Sequence, residues 1–212
     1  MAQNPVSADG ARQPGAMSQD RLIVAAASRP YPGESLNGDG WQVDWHADRC
    51  RISIVDGLGH GPAAAEATMA ALSALAARPE LSPDDSLRTC HTALAGTRGA
   101  VISIAAIDLQ AAELVYAGVG NAEACVLSNG RWERLIAHRG IVGATMPHLR
   151  TFSHALGEDW MLVMFTDGIR SRFQFDELPD LARADPRALA ERILQTWSRD
   201  TDDATVIVAR AV

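Results

Sequence analysis

The chain has 212 residues, 47% of them hydrophobic and 21% charged, the ordinary balance of a globular protein with one ample core. Its net charge of −7 argues against non-specific nucleic-acid binding and against docking on an anionic membrane surface. Its three cysteines are odd in number and far apart, so neither a disulfide framework nor a zinc cluster is implied, and buried inert thiols are expected at Cys50 and Cys125. The polar first residues contain no apolar signal core, and no segment reaches bilayer-spanning length, so a cytoplasmic location is expected.

Residues 1–20 read as a flexible tail rich in Gln, Ser, Gly, Pro and Ala. Residues 21–212 then read as a single domain. "RLIVAAAS" is a first strand, and "RPYPGESLNGDG" is a loop. "WQVDWH" and "RCRISIV" are two strands joined by "ADR". "PAAAEATMAALSALAARP" is an alanine-rich helix that starts at Pro62. A second helix follows Ser82 as N-cap, with Asp84 and Asp85 in its first turn, and runs to Leu94. "AVISIAAID" and "AELVYAG" are strands, and "EACVLSNGRWERLI" is a hairpin turning at Asn129–Gly130. "RTFSHAL" and "WMLVMFTDG" are read as a further strand pair. "DPRALAERILQTW" is a late helix, and "ATVIVARAV" is the last strand. Helices that come in a block rather than one per strand exclude a doubly wound parallel sheet and favour a layered α+β fold with helices outside antiparallel sheets.

Four aspartates stand at strand ends. Asp39 lies in "LNGDGW", Asp56 in "IVDGLGHG", Asp167 in "MFTDGI" and Asp202 in "RDTDDATVIV". Any one of these Asp-Gly or Asp-rich turns alone is ordinary turn chemistry. Together they would form a strongly negative pocket that calls for cations, and an all-oxygen donor set selects Mg²⁺ or Mn²⁺.

The ordered set "NGDGW", "VDGLGHG", "GVGNAEA", "FTDGI" and "DDATVIV" resembles the metal-dependent serine/threonine protein phosphatases, in their bacterial SpoIIE-like branch. The segments "RPYPGESLNGD", "DGLGHG" and "HTALAGTRGA", on a domain without sensor modules, look closest to the stressosome feedback phosphatases of the RsbX type. The resemblance implies a four-layer αββα sandwich with two mainly antiparallel sheets. It also implies two Mn²⁺ or Mg²⁺ ions, bridged by Asp56. The Gly57 carbonyl and Asp39 would serve one ion, and Asp167 and Asp202 the other. Asp203 would stand behind the ligands or cap the strand.

By the same resemblance, metal-activated water attacks phosphorus, so Cys50, Cys90 and Cys125 need no catalytic role. The implied substrates are phosphorylated STAS-domain proteins of a stressosome, RsbS- or RsbR-like, met by a monomer. The alternatives are an RsbV-like anti-sigma-factor antagonist as substrate, or a non-catalytic pseudophosphatase. The helices from Pro62 to Leu94 are expected to be fixed rather than switching.

Several residues keep two readings at this level. His60 is either a proton donor to the leaving group or a polar residue at a loop tip. Arg98 either binds substrate phosphate or is a salt-bridged scaffold residue. Gly118 and Gly120 shape a tight approach between strands, Asn121 is a candidate for orienting a ligand, and Trp41 and Trp45 are read as core. Where many eukaryotic relatives place a phosphate-binding arginine, this chain has Glu34, with Arg29 only loosely placed to substitute.

Overall fold

The apolar runs become strands in two antiparallel sheets, seen in a computed structural model that describes residues 16–19, 21–146, 148–170 and 185–212. One sheet has six strands in the order β1 (Ala16–Gln19), β2 (Leu22–Arg29), β11 (Ala204–Ala211), β10 (Met161–Phe165), β7 (Glu123–Ser128) and β8 (Arg131–Leu135). The other has five, in the order β3 (Asp39–His46), β4 (Arg49–Gly57), β5 (Ala100–Asp108), β6 (Glu113–Val119) and β9 (Phe152–Ala155).

Three apolar layers hold the stack together. Between the sheets lie Leu22, Val24, Ile52, Ile54, Tyr116, Leu162 and Met164. Helices α1 (Pro62–Ala77) and α2 (Pro83–Ala93) cover the outer face of the five-stranded sheet, through Val55, Ala67, Ala71, Leu75, Leu87 and Ile104. Helix α3 (Pro186–Trp197) covers the six-stranded sheet through Leu189, Ala190 and Ile193. This is the αββα sandwich expected of the sequence.

Local chemistry explains the element ends. The Ser82 hydroxyl accepts from the Asp85 amide and opens α2, and the Asp185 carboxylate does the same for α3 through Ala188. Asn129 and Gly130 both have positive φ, 50° and 73°, as a two-residue hairpin turn requires.

Two expectations are corrected. The strands in "RTFSHAL" and "WMLVMFTDG" are not partners: β9 pairs with β6 in one sheet, and β10 lies between β7 and β11 in the other. All five residues of β10 are buried, so it needs neighbours on both edges, whereas the short, alternately exposed β9 suits a sheet edge. The expected tail is also shortened, because Ala16–Gln19 pair with β2; residues 1–15 lie outside the described residues.

Helix α1 has no side-chain N-cap and no basic residue in its last turn. Its C-terminus is satisfied from the sheet instead. Buried Arg51 on β4 donates to the carbonyls of Leu75 (2.6 Å) and Arg78 (2.8 Å), to Ser86 Oγ on α2 (3.0 Å), and to Asp44 Oδ2 on β3 (2.7 Å). One guanidinium thus ties two strands to two helices and neutralises the orphan carbonyls of a helix end. Close packing completes the attachment: a Cβ on Gly40 would stand 2.6 Å from Thr68 Cγ2, and one on Gly57 would collide with the Ala64 carbonyl. Among the described residues no helix is long and apolar enough to cross a membrane. Arg51→Ala, which strands Asp44 and the helix end, is expected to lower unfolding free energy by about 3–5 kcal/mol in urea titrations; a loss below about 1 kcal/mol would show the tie to be superfluous.

Candidate active site

The register of β3 and β4 sets Asp39 directly opposite Asp56. Like charges facing each other across a ladder destabilise it, and burial raises the cost. Asp39 is 7% exposed and Asp56 is half-buried. Asp39 is the first residue of β3 and Asp56 is inside β4, so both belong to the ladder itself rather than to the adjoining loops.

The other sheet brings up the remaining carboxylates. Asp167 follows β10, and Asp202 and Asp203 precede β11, its antiparallel neighbour. The Thr166 amide donates to the Thr205 carbonyl (3.1 Å), which carries the β10–β11 pairing to the site. From there the Thr166 hydroxyl donates to Asp39 Oδ2 at 2.7 Å, joining the two sheets at the site.

The carboxylates act electrostatically as one group. Burial pushes the Asp39 carboxyl up to about 8; the Thr166 hydrogen bond opposes this, and the charges of Asp203 and Asp202 add to it. Asp56 is pushed up to about 9, first by burial and then by Asp39, Asp167, Asp202 and Asp203. Asp202 is also raised, by burial and then by Asp167. All four predicted ligands therefore meet at one edge of the sandwich.

Protein donors hold these side chains in place. Asn121 Nδ2 donates to Asp167 Oδ2 at 2.6 Å, the contact an orienting residue would make. Asn37 Oδ1 accepts the Asp39 amide at 2.9 Å, and Asp202 Oδ1 accepts the Asp203 amide at 3.0 Å. Asp203 is 2% exposed; one oxygen accepts the Tyr31 amide (2.8 Å), and the other, Oδ2, is buried with no partner. The roles of Thr166 and Asn37 were missed in the sequence. Their only signal was position, immediately before one aspartate and two residues before another.

The donor set fits a hard divalent cation. It is all oxygen and short of positive charge, and beside it lies Asp203 Oδ2, a buried carboxylate oxygen with no hydrogen bond among the described residues. As the side chains stand, no three His, Cys, Asp or Glu residues among those described close around a single point. They are turned toward Thr166, Asn121 and Tyr31, the available donors.

The neighbours of Asp56 divide. Gly57 has no room for a side chain, because α1 packs on it and a Cβ there would collide with the Ala64 carbonyl. Gly59 and Gly61 have φ of 84° and 72°, and Gly61 opens α1. His60 is exposed, stacked on Tyr31 (centroids 4.3 Å apart) with Nδ1 3.2 Å from Glu34 Oε1, at the rim of the site. Arg29 is committed to the 198–203 turn: it donates to Ser198 Oγ and to the carbonyls of Arg199 and Asp202, so it does not substitute for a phosphate arginine. A Cβ on Gly118 would stand 2.9 Å from Ser103 Oγ on β5, and one on Gly120 would collide with the Val101 side chain, the tight approach between strands expected there. Trp41 and Trp45 pack against the central core, and all three cysteines are buried. Burial pushes the Cys90 and Cys125 thiols up to about 12, which leaves them inert.

Residues 46–212 match the family described as Stage II sporulation protein E (SpoIIE). The chain belongs to the SpoIIE family. It is similar to a solved protein from work on the bacterial stressosome as a modular system adapted to control secondary messenger signalling, with 30% identity over 89% of this chain and 99% of that one and a TM-score of 0.84. RsbX in complex with magnesium has 18% identity over 94% and 100% of the two chains, with a TM-score of 0.84. The PP2C phosphatase domain of SpoIIE from Bacillus subtilis has 20% identity over 90% and 62%, with a TM-score of 0.74. No curated protein matches the chain in sequence. The chain is a protein phosphatase with the PP2C-like fold.

Asp39 and Asp56 hold protons to higher pH in the folded chain than in the unfolded one, where the ordinary value is 3.8. Between about pH 4 and 9 the folded state therefore binds more protons, and in chelator its stability falls as pH rises through that window. Urea unfolding in chelator should show a loss of up to about 1.4 kcal/mol per pH unit for each such carboxyl, with Asp39→Asn flattening the profile. Stability that climbs from pH 5 to pH 9 would contradict the burial of these charges.

Proposed function

We propose that the chain is a Mn²⁺- or Mg²⁺-dependent phosphoserine/phosphothreonine phosphatase acting on STAS-domain regulators of a stressosome-type module. The observation that supports it is the pairing of Asp39 with Asp56 in one sheet, against Asp167 and Asp202 from the other. Such a cluster is costly unless cations neutralise it. Asp39, Asp56, the Gly57 carbonyl, Asp167 and Asp202 would hold the ions. Those ions would lower the pKa of water and offset charge on the phosphoryl oxygens.

The chain's own residues have separate tasks. Thr166 and Asn121 hold Asp39 and Asp167 in orientation through hydrogen bonds of 2.7 and 2.6 Å. Arg29 and Tyr31 fasten the turn that presents Asp202. All three cysteines are buried, out of reach of a phosphoryl group, which agrees with water as the nucleophile that the family resemblance implies. The metal choice is supported by the all-oxygen donors and by two relatives of the same fold: RsbX was solved with magnesium, and the phosphatase PstP with two manganese ions. The substrate class is supported by the likeness, at 30% identity, to the protein from stressosome work.

Hydrolysis of p-nitrophenyl phosphate should require Mn²⁺ or Mg²⁺ and stop in chelator, and Asp56→Asn should lower kcat by on the order of 100-fold or more. Equal, negligible rates under all conditions would sink the enzymatic reading. A phosphorylated RsbS- or RsbR-like STAS domain should be dephosphorylated faster than an RsbV-like one.

A further inference from the structure

A basic strip lies against this acidic centre. From Arg134 to Gly157 the sequence holds Arg134, Arg139 and Arg150 and the histidines His138, His148 and His154, and no Asp or Glu, although the chain as a whole is acidic. Backbone pairing brings part of that strip to the site. The His138 amide donates to Gly118 O and its carbonyl accepts from the Gly120 amide, both at 2.8 Å. The next residue along, Asn121, holds Asp167. Val142 exchanges both hydrogen bonds with Ala100, which stands opposite Gly57. The Gly143 amide donates to His91 Nδ1 at 2.9 Å, fixing the bend against α2. The Arg150 amide donates to His138 Nε2 at 3.1 Å, which returns the strip to its start.

Arg98 completes the arrangement from the adjoining turn. Its Nη1 lies 2.9 Å from where a Cβ on Gly59 would stand, against the loop that follows Asp56. Arg98, Arg139 and Arg150 are all exposed. None of the three forms an ion pair among the described residues. Among the described residues Arg98 has no carboxylate within ion-pair distance. Other surface arginines of the chain, Arg49, Arg78 and Arg187, do find carboxylate partners.

We infer that Arg98, Arg139 and Arg150 form a docking rim for acidic residues that flank the phosphorylated side chain of the protein substrate. This rests on the proposed phosphatase site, which takes the phosphoryl group itself; the rim selects what lies on either side of it. Three exposed charges acting together steer and hold an oppositely charged segment, and salt weakens them. A carboxylate-rich flank fits planar guanidinium groups that have no carboxylate partner among the described residues.

The test is fluorescence anisotropy on the full chain, in Mg²⁺ and in chelator, with phosphoserine peptides whose flanks are either acidic or alanine. Acidic flanks should bind about tenfold tighter at low salt, and the gap should close near 0.5 M NaCl. An Arg98→Glu, Arg139→Glu, Arg150→Glu variant should lose or invert the preference, and Arg139→Lys with Arg150→Lys should keep most of it. Equal binding of the two peptides by the wild-type chain, or a preference that survives triple charge reversal, overturns the inference. Turnover of p-nitrophenyl phosphate reports separately on the proposed activity. An inactive chain that still selects acidic flanks supports the rim, and an active one that does not select them refutes it.

Discussion

The repulsion between Asp39 and Asp56 is the constraint around which the molecule is arranged. Two carboxylates face each other on adjacent strands, one of them 7% exposed, with three more from the second sheet close enough to raise their proton affinity. A ladder would not keep such a pair without compensation. Part of it is visible: the Thr166 hydroxyl, the Asn37 side chain on the Asp39 amide, and the long apolar pairing of β3, β4 and β5 behind the site. The structure thus crowds carboxyl groups at one edge, where they hold their protons to higher pH, and keeps them there with the rest of the sandwich. Such a site is poised for cations, and it follows the general pattern in which strongly shifted groups cluster where chemistry is done.

What keeps the charge in place is rigid attachment of helices to sheet. Arg51 closes the open end of α1 and binds β3, β4 and α2 in one hydrogen-bonded knot. At the other end α1 begins at Gly61, five residues beyond Asp56, and lies so close to β4 that Gly57 has no room for a side chain. The small residues of α1 and the bare backbone beneath it are one device seen from two sides. Through it the loop "DGLGHG" has a floor, and a shift of α1 would be felt at Asp56.

Much of this was legible from residue patterns. The strands β2 to β8, the hairpin at Asn129–Gly130, the Ser82 N-cap and all three helices follow from alternation, capping residues and the placement of proline, because those signals are local. The strand pairing around β9 and β10 was not legible. Adjacency in sequence suggested a hairpin, yet burial on both faces drove β10 into the middle of the other sheet. The reason for Gly57 also lay out of reach, since it depends on how closely a helix settles on a strand seven residues before Ala64.

By itself the sequence determined the chemical character of the protein: carboxylates at strand ends, glycines that let the backbone turn beside them, and an αββα layering implied by the family resemblance and by helices in blocks. These follow from residue type and from neighbours within a few positions. The tertiary structure alone decided which groups face each other. It set Asp39 against Asp56 by register, brought Thr166 and Asn121 to the carboxylates, turned Arg29 away into the 198–203 turn, and left Arg98, Arg139 and Arg150 exposed with no ion pair among the described residues. Those outcomes depend on contacts between residues far apart in the chain, and no local pattern specifies them.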